Sequence, residues 1–89
     1  MPAKKEKLHL ATITILVKDR QTHSPEVNRI LTENGHLIMA RLGVNIQRRC
    51  VSNCTAMITV ALEATAKDIA KITKDLNSLY GIAAKASVM

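Results

Sequence analysis

The sequence predicts one α+β domain with four β-strands and two α-helices in the order β-α-β-β-α-β. Three observations lead to this prediction. Apolar residues alternate with period two in four segments. They recur at helical spacing in two others. The chain has 89 residues, which leaves room for a single domain.

The four strands are expected over Leu8–Val17, 36–44, 54–63 and 82–88. Alternation puts Ile38, Ala40 and Leu42 on one face of the second strand. Leu37, Met39 and Arg41 are expected on its opposite face. On the first and third strands, one face is fully apolar and should meet the helices: Ile13, Ile15, Val17, Ile58, Val60 and Leu62.

The two helices are placed by start and stop signals. Ser24 is the expected N-cap of the first helix, with Pro25 at its first position, after a polar loop over 18–21. Asn34-Gly35 should end it. Thr65 followed by Asp68 predicts the start of the second helix, and Gly81 its stop. Its apolar stripe is Ile69, Ile72, Leu76 and Leu79.

Each of the two β-α-β connections should cross over in the right-handed sense, which places the two helices on the same face of the sheet. This predicts a ferredoxin-like fold with a four-stranded antiparallel sheet. The other sheet face is then left uncovered and mostly apolar, which predicts a homodimer, with a tetramer as the next possibility. The expected interface is Leu10, Thr12, Thr14, Leu16, Met57, Thr59 and Ala61.

Composition excludes several classes of function. Tyr80 is the only aromatic residue. Domains that bind single-stranded nucleic acid stack its bases on aromatic side chains, so we do not expect a domain of that class. The net charge is +6, but residues 1–7 hold three lysines against one glutamate and are expected to form a disordered basic tail before a domain over 8–89. Direct DNA binding is therefore not expected. No apolar run is long enough for a membrane helix, so we expect a cytoplasmic protein with reduced cysteines.

Catalytic and metal chemistry have few candidate residues. The carboxylates show no paired spacing, no nucleophile stands at a strand-to-helix turn, and the three glycines are dispersed. We therefore expect no enzyme activity, and the sequence identifies no cofactor. Cys50 and Cys54 could bind a metal with a ligand from a second subunit, although a buried thiol is the simpler interpretation of Cys54.

A polar cluster is expected around the central hairpin. Arg41, Asn45, Arg48 and Arg49 could line an edge that faces a ligand or a partner, because arginine suits bidentate binding of anions. Exposed loop charges, or ion pairs between subunits, would explain the same residues.

Several stretches resemble a known family. These are residues 10–20, the run Val27-Asn28-Arg29-Ile30-Leu31, residues 41–44, and the segment around Leu76-x-x-Leu79-x-Gly81-Ile82. In order and spacing they resemble the regulators of the iron-only hydrogenase system. The resemblance implies an ACT-like ferredoxin fold, similar to the ligand-sensing domain of the nickel-responsive repressor. Asn45 and the cysteines at 50 and 54 depart from the pattern of that family.

The resemblance implies a small oligomeric regulatory domain that senses a ligand or binds a partner in the hydrogenase system. That ligand would be a small molecule or a metal. The alternative is a metal-handling or assembly accessory protein for hydrogenase maturation.

Overall fold

The computed structural model of the protein describes residues 6–45 and 54–89. The order β-α-β-β-α-β is confirmed. The elements are β1 (Leu8–Val17), α1 (Arg20–Glu33), a 3-10 turn (Gly35–Leu37), β2 (Ile38–Asn45), β3 (Ala56–Thr65), α2 (Ala66–Asn77) and β4 (Ile82–Val88). Residues 1–5 of the expected basic tail lie outside the described residues.

The strands form one antiparallel sheet in the order β2-β3-β1-β4. Both helices pack on the same face of this sheet, and the core lies between the two layers. All six strand residues predicted for this face are buried. The helices contribute their apolar stripes to the same core: Val27, Ile30, Leu31, Ile69, Ile72 and Leu76.

The start of α1 differs from the prediction. The helix begins at Arg20, so Ser24 is not its N-cap and Pro25 lies inside it. Asp19 is the N-cap, with a left-handed backbone (φ 50°), and its carbonyl accepts from the amides of Thr22 and His23. The amide of Arg20 donates to the carbonyl of Cys54, which is distant in sequence. These contacts fix the first turn ahead of the proline.

The start of α2 follows the prediction. The Thr65 side chain accepts a hydrogen bond from the amide of Asp68 at 3.1 Å, as a helix cap should. The helix ends at Asn77, and a turn with Gly81 at φ 76° leads into β4. Asn77 is therefore the last residue of α2, just before the turn that leads into the last strand.

The faces of β2 differ from the prediction because the strand contains an irregularity. Its register with β3 shifts between Ile38 and Ala40. Residues directly opposite in an antiparallel pair share a face, so Ile38, opposite Leu62, lies on the helix side. Ala40, opposite Ala61, lies on the other side. The bulge thus separates Ile38 from Ala40 and Leu42, which were expected together.

Candidate functional site: the open face of the sheet

The face of the sheet away from the helices is not covered by any described part of the chain. We call it the open face. The strand registers arrange its side chains in rows that run across β2, β3, β1 and β4 in that order. The three complete rows are Val44-Met57-Leu16-Ala83, Leu42-Thr59-Thr14-Lys85 and Ala40-Ala61-Thr12-Ser87.

The open face is apolar at one end and small or hydroxylated in the middle. Leu42 is 64% exposed, Leu10 50% and Val44 40%, and these fractions are large for aliphatic side chains. Leu16 and Met57 are half-buried in the same row as Val44 and next to Leu42, whereas Leu10 lies at the opposite end of the face. The end of the face around Val44 thus presents contiguous aliphatic surface to solvent in a single copy of the chain.

Charges on the open face lie away from its centre. Lys85 is on the edge strand β4, and Glu63 pairs with Leu10 near the start of β1. Thr12, Thr14 and Thr59 lie in the middle on the two central strands. Short side chains there allow another surface to approach closely.

The seven interface residues expected from the sequence all lie on the open face by register. The prediction missed its β2 and β4 members. Leu42 and Val44 were missed because the bulge in β2, which sets their face, leaves no clear signal in the sequence. Ala83 and Lys85 follow from simple alternation along β4, and that alternation could have identified them.

The arginine cluster is only partly described. Arg41 lies opposite Val60, on the helix side of the edge strand β2, and its guanidinium donates to the side-chain oxygen of Asn28 in α1. Asn45 is the last residue of β2. The side chain of Asn45, together with Arg48 and Arg49, lies outside the described residues. Their role in binding a ligand or partner therefore stays a prediction.

The metal hypothesis also rests partly on a residue outside this description, Cys50. Cys54 is buried, at 4% exposed, and its sulfur is disulfide-bonded. This state differs from the reduced thiol that we expected. Because metals bind the thiolate, Cys54 would have to be reduced before it could act as a ligand. Within residues 6–45 and 54–89, no group of three or more His, Cys, Asp or Glu side chains is arranged to hold a metal ion.

A groove of about 350 Å³ between α1 and α2 is polar. Its charges pair with one another. Arg29 binds Glu33 at 2.8 Å and Glu26 at 3.0 Å, and Lys71 binds Asp75 at 2.8 Å. The hydrogen bonds that Arg29 donates to Glu33 and Glu26 raise the pKa of Arg29, and the hydrogen bond that Lys71 donates to Asp75 raises the pKa of Lys71. These ion pairs account for the charged side chains of the groove, so their presence there does not require a ligand.

A ring contact joins the start of α1 to the turn before β4. The rings of His23 and Tyr80 lie 5.7 Å apart at an interplanar angle of 60°. A Cβ atom at Gly81 would come within 2.9 Å of the His23 ring. The sequence predicted Gly81 as the stop of α2, but the helix ends earlier, at Asn77, and Gly81 lies in the turn that follows, where it makes this close contact.

The fold defines a small ferredoxin-like domain, in which one face of the sheet is left uncovered by the described residues. A family model described as "TM1266-like: Iron-only hydrogenase system regulator, putative" matches residues 9–86. The chain belongs to this family, as its motifs had indicated. The family description is that of a regulator and not of an enzyme.

A solved structure supports the fold. The uncharacterized protein TM1266 from Thermotoga maritima superposes with a TM-score of 0.83 at 22% sequence identity. The match covers 93% of this chain and 99% of that one. No curated protein matches the chain. Among the described helices, none has the length and hydropathy needed to cross a membrane.

Proposed function

We propose that the chain is a regulatory domain of the iron-only hydrogenase system that works as a homo-oligomer and acts by binding a ligand or a partner protein. The family match supports the regulatory role. The single observation that carries the association is the open face, where Leu10, Leu42 and Val44 are each at least 40% exposed.

The open face is large enough to form the core of a dimer interface. Four strands about 4.8 Å apart and three complete rows about 6.7 Å apart make a flat patch of roughly 19 by 20 Å. A stable dimer needs about 800 Å² of accessible surface from each partner, and side-chain relief together with flanking residues such as Leu10 would supply the remainder. Two open faces packed together would remove most of the exposed aliphatic surface from water. The threonines of the central strands would then meet near the middle of the interface.

Sedimentation velocity of the wild-type protein at micromolar concentration tests the association. We expect a dimer, or a tetramer built from two dimers. A monomer at these concentrations would contradict the proposal. Native mass spectrometry of the same sample tests the regulatory part, since a ligand that survives purification adds a defined mass to each subunit.

A further inference from the structure

The outer edge of β4 is half closed by the protein itself. Along β4, the backbone N–H and C=O groups of successive residues point alternately toward β1 and away from it. At the two ends of the strand, Gly81 accepts from Lys18 and Met89 donates to Leu10, so the odd-numbered residues face β1. The backbone groups of the even-numbered residues Ala84 and Ala86 therefore point outward, away from the sheet. The amide side chain of Asn77 closes the first of these positions: it accepts from the N–H of Ala84 at 2.8 Å and donates to its carbonyl at 2.9 Å.

The second half of the same edge is open. Ala86 and Val88 point their backbone N–H and C=O groups outward, and neither has a hydrogen-bond partner on that side within the described chain. Unpaired edge groups of this kind can pair with an added strand. Asn77 thus limits any such pairing to the segment from Lys85 to Met89.

An apolar groove lies directly beside these open groups. It has a volume of about 510 Å³ and runs between α2 and β4. Ala66 and Ala70 are exposed along its helix wall, and Ala86 and Val88 form its strand wall. Their small side chains leave room for the side chains of an added strand.

In the described part of the chain, the one charged side chain that lines the groove is basic, and it is Lys74 of α2. Lys67, Lys71 and Lys74 form a row on this helix at spacings of four and three residues, and Lys71 lines the groove between α1 and α2 instead. Lys71 is paired with Asp75, whereas Lys67 and Lys74 have no ion pair among the described residues. On the other face of β4, Lys85 would lie beside the outward side chains of an added strand.

We propose that the edge from Lys85 to Met89, with the α2 groove, binds an extended segment of a partner protein in which apolar and acidic residues alternate. Apolar side chains would enter the groove, and acidic ones would lie beside Lys85. This inference deepens the proposed regulatory role, because it gives the chemistry of the partner segment. A second copy of the chain fits this edge less well. If the β4 strands of two copies paired about a twofold axis, the lysine rows of their two α2 helices would come together and repel each other.

The test is a titration of the ¹⁵N-labelled full chain with a capped hexapeptide of alternating valine and glutamate. We expect saturable amide shifts at Ala70, Ala86 and Val88. A matched peptide of alternating valine and lysine should bind at least tenfold more weakly. A peptide with three valines followed by three glutamates has the same composition without the alternation, and it should also bind more weakly.

Variants locate the binding. Ala86→Pro removes one outward N–H without breaking a bond to β1, and it should weaken peptide binding at least tenfold. If this variant does not fold, Ala70→Leu fills the groove instead. Lys85→Ala should weaken binding several-fold, because the acidic side chains would lie beside Lys85, while Lys71→Ala, whose ammonium already binds Asp75, should change it less.

The proposal is wrong if millimolar alternating peptide causes no saturable shift at Ala86 and Val88. It is also wrong if the lysine peptide binds equally well. A fall in oligomer size in Ala86→Pro would show that this edge joins two copies of the chain, which also overturns it. The peptide results do not bear on the open face, because wild-type sedimentation tests the association separately. A smaller Ala86→Pro oligomer would bear on both proposals, since it would place the contact between copies at the β4 edge.

Discussion

Gly81 is the residue whose backbone and surroundings both exclude a side chain. Its φ of 76° lies in the region that disfavours L-residues, and a Cβ atom would lie 2.9 Å from Cδ2 of His23. Gly81→Ala should therefore lower the free energy of unfolding by about 1–3 kcal/mol. Urea denaturation followed by circular dichroism, at one fixed protein concentration, measures the loss.

Gly35 provides the matched control for this prediction. No atom lies within 4 Å of a Cβ built there, and its φ is not positive, so Gly35→Ala should change stability little. In a His23→Ala background the crowding is gone, and Gly81→Ala should cost less than in the wild type. An equal cost in both backgrounds would show that the His23 contact contributes nothing.

Asn77 joins two elements, since its side chain makes two hydrogen bonds to the backbone of Ala84. Asn77→Ala should lower the free energy of unfolding by about 1–2 kcal/mol, because two partly buried bonds are lost. The amide proton of Ala84 should also exchange with solvent faster. Hydrogen exchange read by NMR, together with urea denaturation, checks both effects.

The neighbouring Ser78 offers a control with an exposed hydrogen bond. Its hydroxyl donates to the carbonyl of Asp75 at 2.6 Å. Ser78→Ala should cost less than Asn77→Ala, because water can replace an exposed partner. If the two variants lose equal stability and Ala84 exchange is unchanged, Asn77 does not fasten α2 to β4.

The same elements show how far sequence reasoning reaches. Alternation in β1 and β3 sufficed to assign their buried faces, because a regular strand turns every second side chain the same way. The start of α1 could not be assigned this way, since its first turn is anchored by the Cys54 carbonyl from a distant part of the chain. The bulge in β2 is likewise set by pairing with β3 and not by local residues.

The candidate site was predictable to a similar extent. The central threonines and Leu16 follow from alternation once both helices are placed on one face. The closure of the β4 edge by Asn77 does not, because it depends on where α2 ends relative to Ala84. The contact between the end of α2 and β4, and not the propensity of the β4 residues themselves, decides which part of this sheet edge remains open.

At the scale of the whole molecule, a charged residue introduced at Thr14 can show whether association of the subunits can be lost while each subunit stays folded. Thr14 lies opposite both Thr59 and Lys85 on the open face. A glutamate there can pair with Lys85 in the same subunit, and cross-strand pairs of opposite charge contribute about 0.2–1 kcal/mol. Thr14→Glu should therefore keep the fold of each subunit. Burial of the new carboxylate between two packed sheets would be costly, so the assembly should dissociate.

Thr14→Lys places two like charges opposite each other and should both dissociate the assembly and destabilise the subunit. Thr32→Glu, on the exposed side of α1, adds a charge away from the face and should leave the assembly intact. Sedimentation velocity gives the oligomeric state of each variant, and circular dichroism gives its fold. A Thr14→Glu protein that stays as large as the wild type would place the interface elsewhere. The exposed aliphatic rows of the open face would then need a different partner to cover them.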